Sequence, residues 1–195
     1  MLDGFRRALE TAEAEQDLIS ASDAHRQLGF LGWTFAQRRE PARLHYARAL
    51  RLARRCHALP QQAAMLSELG YLVAEWGSPD RAVRYCIRAM RAAREVADEF
   101  LLPSIYVNLA LAYRARREPK AARAWLEAAI RAFRRTHNPG GEAYARYELG
   151  QLLAELDERE LARKELERSA TLCRTNGLGG QLDSVEAALV KLRAA

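Results

Sequence analysis

The sequence predicts an all-α chain, a solenoid of antiparallel helix pairs, and three observations predict it. Ala, Leu, Arg and Glu dominate the composition, and all four are good helix formers. Small residues recur every 40 positions: Gly70, Ala110 and Gly150 form one series, and Ala42, Ala82, Ala122 and Ala162 form a second. A fixed period of this length marks a helical repeat, in which each unit buries its apolar face against the next. Short polar segments with Pro or Gly divide the periodic stretches. Hydrophobic residues make up 49% of the chain and Gly and Pro number only 11 and 6, so the chain is neither disordered nor rich in turns. β-branched residues never alternate, and no strand is predicted.

The elements follow in order. Residues 1–16 predict a single helix, since Phe5, Ala8, Leu9 and Ala12 match Tyr46, Ala49, Leu50 and Ala53 at an offset of 41. It is either the second helix of a repeat whose first is missing, as in a piece of a longer array, or an N-terminal cap. Repeat 1 covers 22–56 and is irregular: Leu28-Gly29 precedes Ala42 by one residue too many, and Gly32 competes for the same place. Repeats 2, 3 and 4 cover 62–98, 103–136 and 142–175.

In these three repeats Leu69, Leu109 and Leu149 precede the small residue of the first helix, and Val73, Tyr113 and Leu153 follow it by three, which is one apolar stripe. The second helices carry Ala49, Ala89, Ala129 and Ser169, with Tyr46, Cys86, Leu126 and Leu166 before them. Paired small residues let the two helices approach closely. Tight turns are expected at 76–80, 116–120 and 156–160, and longer joints near Pro60, Pro103 and 138–141. Gly177 to Gly180 reads as a linker, and 181–193 as a closing helix, an ending expected of a natural C-terminus.

These residues resemble the tetratricopeptide repeat. That family marks its unit with Leu-Gly in the first helix, a large apolar residue three later, Ala at the start of the second helix, and a large residue and another Ala beyond it. Leu69-Gly70, Val73, Ala82, Cys86 and Ala89 follow this pattern, as do Leu109-Ala110, Tyr113, Ala122, Leu126 and Ala129, and Leu149-Gly150, Leu153, Ala162 and Leu166. The period exceeds the usual 34 and is similar to the long-helix variant of kinesin light chains and bacterial peptide-sensing regulators.

The resemblance implies a right-handed superhelical solenoid whose first helices line a concave groove that binds proteins or peptides. It points to Ser67, Glu68, Tyr71 and Glu75 in repeat 2, to Ser104, Val107, Asn108, Leu111 and Arg114 in repeat 3, and to Tyr144, Tyr147, Glu148, Gln151 and Glu155 in repeat 4. Asn108 matches the family position whose amide commonly holds a ligand's backbone. Tyr144 and Tyr147 serve equally well as recognition surface or as packing between repeats. The basic clamp that some members use for a C-terminal carboxylate is not reproduced, since Arg114 stands nearly alone.

Catalytic chemistry is not expected. No phosphate-cradling glycine loop, zinc-protease motif or nucleophile elbow is present, and His25, His45, His57 and His137 are expected to share no common helical face. Cys56, Cys86 and Cys173 form neither a disulfide framework nor a Cys-x-x-Cys metal pair, so neither metal nor cofactor is implied. They read as buried residues of a reducing cytosol, and the absence of a signal peptide or of 18 consecutive apolar residues makes the expected location cytoplasmic.

Net charge is +6, and residues 38–135 hold 20 Lys and Arg against 9 Asp and Glu. The surplus falls on second helices, and Arg48, Arg51, Arg55, Arg84, Arg88, Arg91, Arg131, Arg134 and Arg135 predict a convex basic stripe. Such a stripe attracts nucleic acid or an acidic protein. Of the 31 basic residues 28 are Arg, a bias that genome composition alone also produces. The functions left open are an adaptor or scaffold using the groove, a sensor segment of a larger transcription regulator, and a binder acting through the stripe. An apolar face around Leu2, Phe5 and Leu9 adds self-association to the expectations.

Overall fold

In the computed structural model, which describes residues 2–34 and 39–194, ten helices follow one another. They are α1 (Leu2–Ala14), α2 (Leu18–Thr34), α3 (Arg39–Arg55), α4 (Leu59–Glu75), α5 (Pro79–Glu95), α6 (Leu102–Ala115), α7 (Pro119–Arg135), α8 (Pro139–Glu155), α9 (Arg159–Thr175) and α10 (Gly179–Ala194). No strand occurs among the described residues.

The repeat period divides into two like halves. Each of α3, α4, α5, α7, α8 and α9 is 17 residues long. They start at 39, 59, 79, 119, 139 and 159, and a tight turn follows each, except that 96–101 lengthens the turn before α6. Among the described residues every turn has a left-handed residue: His57 (φ 55°), Gly77 (79°), Ala97 (52°), Arg117 (62°), His137 (50°), Asp157 (59°), Gly177 (67°) and, before α2, Gln16 (57°). At His57 the Ala58 N–H donates to Ala53 O at 2.9 Å and the His57 N–H to Arg54 O at 3.2 Å. This pair of bonds satisfies the last carbonyls of the helix and is the Schellman motif. Glycine fits such a position best, yet only two of the eight have it.

The joints expected near the prolines are shorter than the sequence suggests. Pro60, Pro103 and Pro139 sit within the first two positions of α4, α6 and α8, where the absent N–H costs nothing and the fixed φ suits a helix. Gly140 and Gly141 are likewise helical, and Asn138 caps α8 by accepting from the Gly141 N–H at 2.8 Å. A Cβ on Gly141 would stand 2.2 Å from a Phe133 ring carbon, so glycine is what lets α8 close on α7. Gly179 and Gly180 open α10 instead of linking to it.

Four hairpins result: α2/α3, α4/α5, α6/α7 and α8/α9. At their crossings Ala42, Ala82, Ala122 and Ala162 have no exposed surface, and Gly70 faces Cys86 as Gly150 faces Leu166. Gly29 meets Tyr46 and the Ala42 carbonyl in the same way, which fixes the register of the first hairpin. Residues 35–38 of this irregular repeat fall outside the described residues. Ser169 replaces the alanine of its series and remains fully buried because its hydroxyl donates to Ala143 O at 2.7 Å. Cys86 and Cys173 are buried as expected, whereas Cys56, at the end of α3, is only half-buried, and burial pushes the Cys86 thiol up to about 12.

First helices touch the first helices of neighbouring repeats (α2 with α4, α4 with α6, α6 with α8, α8 with α10), whereas no two second helices are in contact among the described residues. The stack is thus closed on its inner side and splayed on its outer side, with grooves between successive second helices. Helix α1 packs on α2 as a preceding second helix would. Phe5 and Leu9 are half-buried there, while Ala8, at the place of the fully buried Ala49, is exposed. The side chain of Leu2 lies outside the described residues.

Candidate functional site

The concave face is built by α2, α4, α6 and α8, and a cleft of about 550 Å³ opens on it. Glu68, Tyr71 and Glu75 line it from α4, Asn108 from α6 and Tyr144 from α8, five of the residues that the sequence singles out. Phe30 and Trp33 of α2 form its other wall, with Tyr46 and Leu72 beneath. Sequence reasoning missed these four. The signal was present for one of them, because Phe30 follows Gly29 as Tyr71 follows Gly70, but it is legible only once Gly29 is known to mark the repeat. Phe30 is 48% exposed, a large apolar surface at the mouth of the cleft. Trp33 stacks edge-on against Trp76, with ring centroids 5.9 Å apart.

The polar groups of the cleft are anionic and phenolic. Arg26 Nη1 donates to Glu68 Oε1 at 2.8 Å, while Glu68 Oε2 is buried and has no hydrogen-bond partner among the described residues. Burial raises the Tyr71 phenol above its ordinary range, and Glu75 and Glu148 add to the effect. Burial and then Glu148 do the same for Tyr144. These phenols are therefore neutral and keep a proton to donate.

Several expected groove residues are placed otherwise. Ser67 and Val107 are buried at 2% exposure, because each points into the contact between adjacent first helices. Asn108 Nδ2 donates to Ser67 Oγ at 2.9 Å and to Ser67 O at 3.2 Å, so its donor half ties α6 to α4 and its carbonyl oxygen is the part left for a ligand. Arg114 is not isolated: it donates to Glu148 at 3.1 Å and to Glu155 at 2.9 Å. Burial raises the Glu148 carboxyl, and Arg114 opposes the rise. This triad separates the first cleft from a second of about 450 Å³ that Tyr147, Gln151 and Glu155 line together with α10. Ser104 is exposed and Leu111 half-buried, and neither lines the two clefts.

The stripe arginines all lie on the outer surface. Arg48, Arg51, Arg55, Arg84, Arg88 and Arg91 are exposed on α3 and α5, and Arg131, Arg134 and Arg135 on α7. They differ in their partners. Arg134 binds Glu142 at 2.8 Å and Arg135 approaches Glu99 at 3.8 Å, but among the described residues none of the six on α3 and α5 has a carboxylate within 4 Å.

No group of three or more His, Cys, Asp or Glu side chains able to hold a metal ion occurs among the described residues, and no described helix is long and apolar enough to cross a membrane. His25 and His45 do meet, with their Nδ1 atoms 2.9 Å apart between α2 and α3. Burial first, then His45 and Arg48, depress His25 to about 4.

Comparison with known proteins agrees with this architecture. A sequence profile of the tetratricopeptide repeat matches residues 101–175. No curated protein matches at the sequence level. Among solved structures, BtubC (BKLC) from P. vanneervenii superposes with a TM-score of 0.72 at 18% identity, over 99% of this chain and 89% of that one. A Rap protein complexed with Competence and Sporulation Factor gives 0.85 at 14% identity, over 94% of this chain and 51% of its own length, so the chain spans about half of it. A kinesin light chain-like repeat protein from Podosopora anserina gives 0.63 at 13% identity, over 90% and 94%. Residues 101–175 are thus tetratricopeptide repeats, and the chain around them carries the helical-solenoid fold of that class.

Proposed function

We propose that the chain is a non-catalytic interaction module, an adaptor or scaffold that holds an extended segment of a protein partner in the concave cleft between α2, α4, α6 and α8. The supporting observation is the combination of an aromatic mouth, Phe30, Tyr71 and Tyr144, with the Glu68 carboxylate, whose buried Oε2 makes no well-formed hydrogen bond among the described residues although the Tyr46 hydroxyl lies beside the carboxylate. Rings of this kind give contact area at little cost in side-chain freedom. An unpaired buried acceptor favours a ligand that brings an N–H or a cation to it. The matching segment is therefore apolar and basic. Asn108 offers its remaining carbonyl to the backbone of such a segment.

Selection of displayed random peptides against the intact chain tests this. Wild type is expected to enrich peptides with aromatic and basic residues, and Tyr71→Ala with Tyr144→Ala is expected to lose them while melting as wild type does. Equal enrichment by both proteins would refute the cleft as the binding site.

A second reading, that these repeats are the sensor segment of a larger regulator, draws support from the likeness to the Rap protein, whose solved complex holds Competence and Sporulation Factor. Its test is whether a peptide selected on the cleft changes the activity of the full-length protein that contains these repeats.

A further inference from the structure

We infer that the outer groove between α3 and α5 is a docking site for an acidic amphipathic segment of a protein partner. It is distinct from the concave cleft, and the inference does not rest on that reading. Two outer grooves that occupy the same place in different repeats carry it.

The second of them, between α7 and α9, encloses about 760 Å³ and the first about 300 Å³. Their apolar floors correspond: Leu50, Leu69 and Val73 in the first stand where Ile130, Leu149 and Leu153 stand in the second. Their arginines correspond as well, Arg43, Arg51 and Arg54 answering to Arg123, Arg131 and Arg134.

The acids do not correspond. In the second groove Arg123 is held by Glu127 and Glu158, each at 3.1 Å, and Arg134 by Glu142 at 2.8 Å. Arg146, 4% exposed, lies between Glu142 and Glu165, and Glu165 also takes Arg168 at 2.6 Å. This groove carries its own counter-ions for Arg123, Arg134, Arg146 and Arg168, while Arg131, like Arg51, and Lys164 have no carboxylate within 4 Å among the described residues. In the first groove the places of Glu127, Glu142, Glu158 and Glu165 hold Ala47, Gln62, Ser78 and Tyr85. Gln62 turns its amide to Ala53 O at 3.1 Å. Arg51, Arg54 and Arg81 have no carboxylate within 4 Å among the described residues, and Arg43 meets only its own-helix neighbour Glu40, in a pair exposed to water.

The chain therefore repeats three wall arginines and the apolar floor, with Leu66 in the place of Arg146, and omits at one groove the acids that it supplies at the other. A segment with carboxylates on both sides of an apolar stripe completes the first groove as Glu127, Glu142 and Glu165 complete the second. Nucleic acid fits the arginines but not the floor, since a phosphate backbone has no apolar surface to lay on Leu50 and Val73. The protein segment is the better match.

The test uses the full chain and a fluorescein-labelled amphipathic peptide as long as α5, with leucine on one face and glutamate flanking it. Controls are its glutamine counterpart and a labelled single-stranded oligonucleotide, all measured by anisotropy at low and high salt. The acidic peptide should bind at low salt, weaken as salt rises, and exceed the glutamine peptide by roughly tenfold or more. Arg51→Gln with Arg54→Gln should lose at least about tenfold, whereas Arg131→Gln with Arg134→Gln, which lowers net charge equally, should leave binding unchanged. Ala47→Glu with Tyr85→Glu, which rebuilds the internal acids, should also abolish binding, and Ala47→Glu alone keeps that arm open if the double variant fails to fold. Equal loss from the two arginine pairs would overturn the inference in favour of bulk charge. Tighter binding of the oligonucleotide than of the acidic peptide would overturn it in favour of nucleic acid, and equal binding of the two peptides would overturn it outright.

Discussion

The two halves of this solenoid share one backbone plan and differ in how completely they satisfy themselves. From α7 to α9 most outer cations have a partner: Arg123, Arg134, Arg135, Arg163, Arg168 and Arg174 each meet a glutamate, as does the buried Arg146, while Lys120, Arg131 and Lys164 have no carboxylate within 4 Å among the described residues. On the inner side of the same half the triad of Arg114, Glu148 and Glu155 closes the groove. From α3 to α5 the outer arginines face water, and Glu68 Oε2 on the inner side and the indole N–H of Trp76, a residue that lines the outer groove, are buried without hydrogen bonds among the described residues. Residues 101–175, the stretch that matches the repeat family by sequence, belong to the half that pairs with itself. Both proposed binding sites, the concave cleft and the α3/α5 groove, draw on residues whose internal pairing stops short.

The largest expected effect breaks the satisfied half. Arg146→Ala strips Glu142 and Glu165 of their buried partner, and a loss of about 3–5 kcal/mol is expected, read as the shift of the urea midpoint. Arg146→Met together with Glu142→Gln and Glu165→Leu should recover much of it, since replacing a whole buried ion network by apolar groups is commonly near neutral.

Next in size is an acid-sensitive point confined to the other half. His25 is neutral in the fold, with its value lowered to about 4 from an ordinary 6.5, so between those two pH values the unfolded chain binds the extra proton. Stability from this site is complete above about pH 6.5 and is lost as pH falls through that window toward 4. The melting temperature should drop by several degrees between about pH 7 and pH 4.5, and His25→Asn should flatten that slope. His45, lowered by burial and by Arg48 and Arg6, works in the same direction.

A smaller effect has the opposite sign. Ala97 holds φ 52° at a turn where Gly77 and Gly177 mark the easier choice, and Ala97→Gly should stabilise by about 1 kcal/mol, seen as a rise in melting temperature of a few degrees. Smallest of all is Arg88→Ala on the unpaired outer face, which should leave stability within about 0.5 kcal/mol by the same melts. A large loss there would show that α5 arginines hold the fold, and the contrast between the halves would collapse.

Much of this architecture is legible in the sequence, because packing in a repeat leaves a periodic trace. The series of Gly70, Ala110 and Gly150, with its companion alanines, records helix crossings that admit only small side chains, and the structure places them there. The helices that contain Pro60, Pro103 and Pro139 start slightly earlier than the sequence suggests, since proline closes a joint and opens a helix with equal ease. The site is legible in part. Glu68, Tyr71, Glu75, Asn108 and Tyr144 share one cleft, but the burial of Ser67 and the pairing of Arg114 depend on partners in the neighbouring repeat, which no local pattern reveals. Trp33 leaves no periodic trace, because the residues four after Gly70, Ala110 and Gly150 are Ala74, Arg114 and Ala154.

The turn that closes each helix limits how such a chain changes length. Successive helices alternate between inner and outer positions, so gaining or losing a single helix with its turn would turn every later helix inside out, presenting the aromatic face to solvent and the arginines to the groove. Gain or loss of a whole hairpin leaves all facings intact. The unit of construction is one helix with its turn, but the unit of viable variation is the pair.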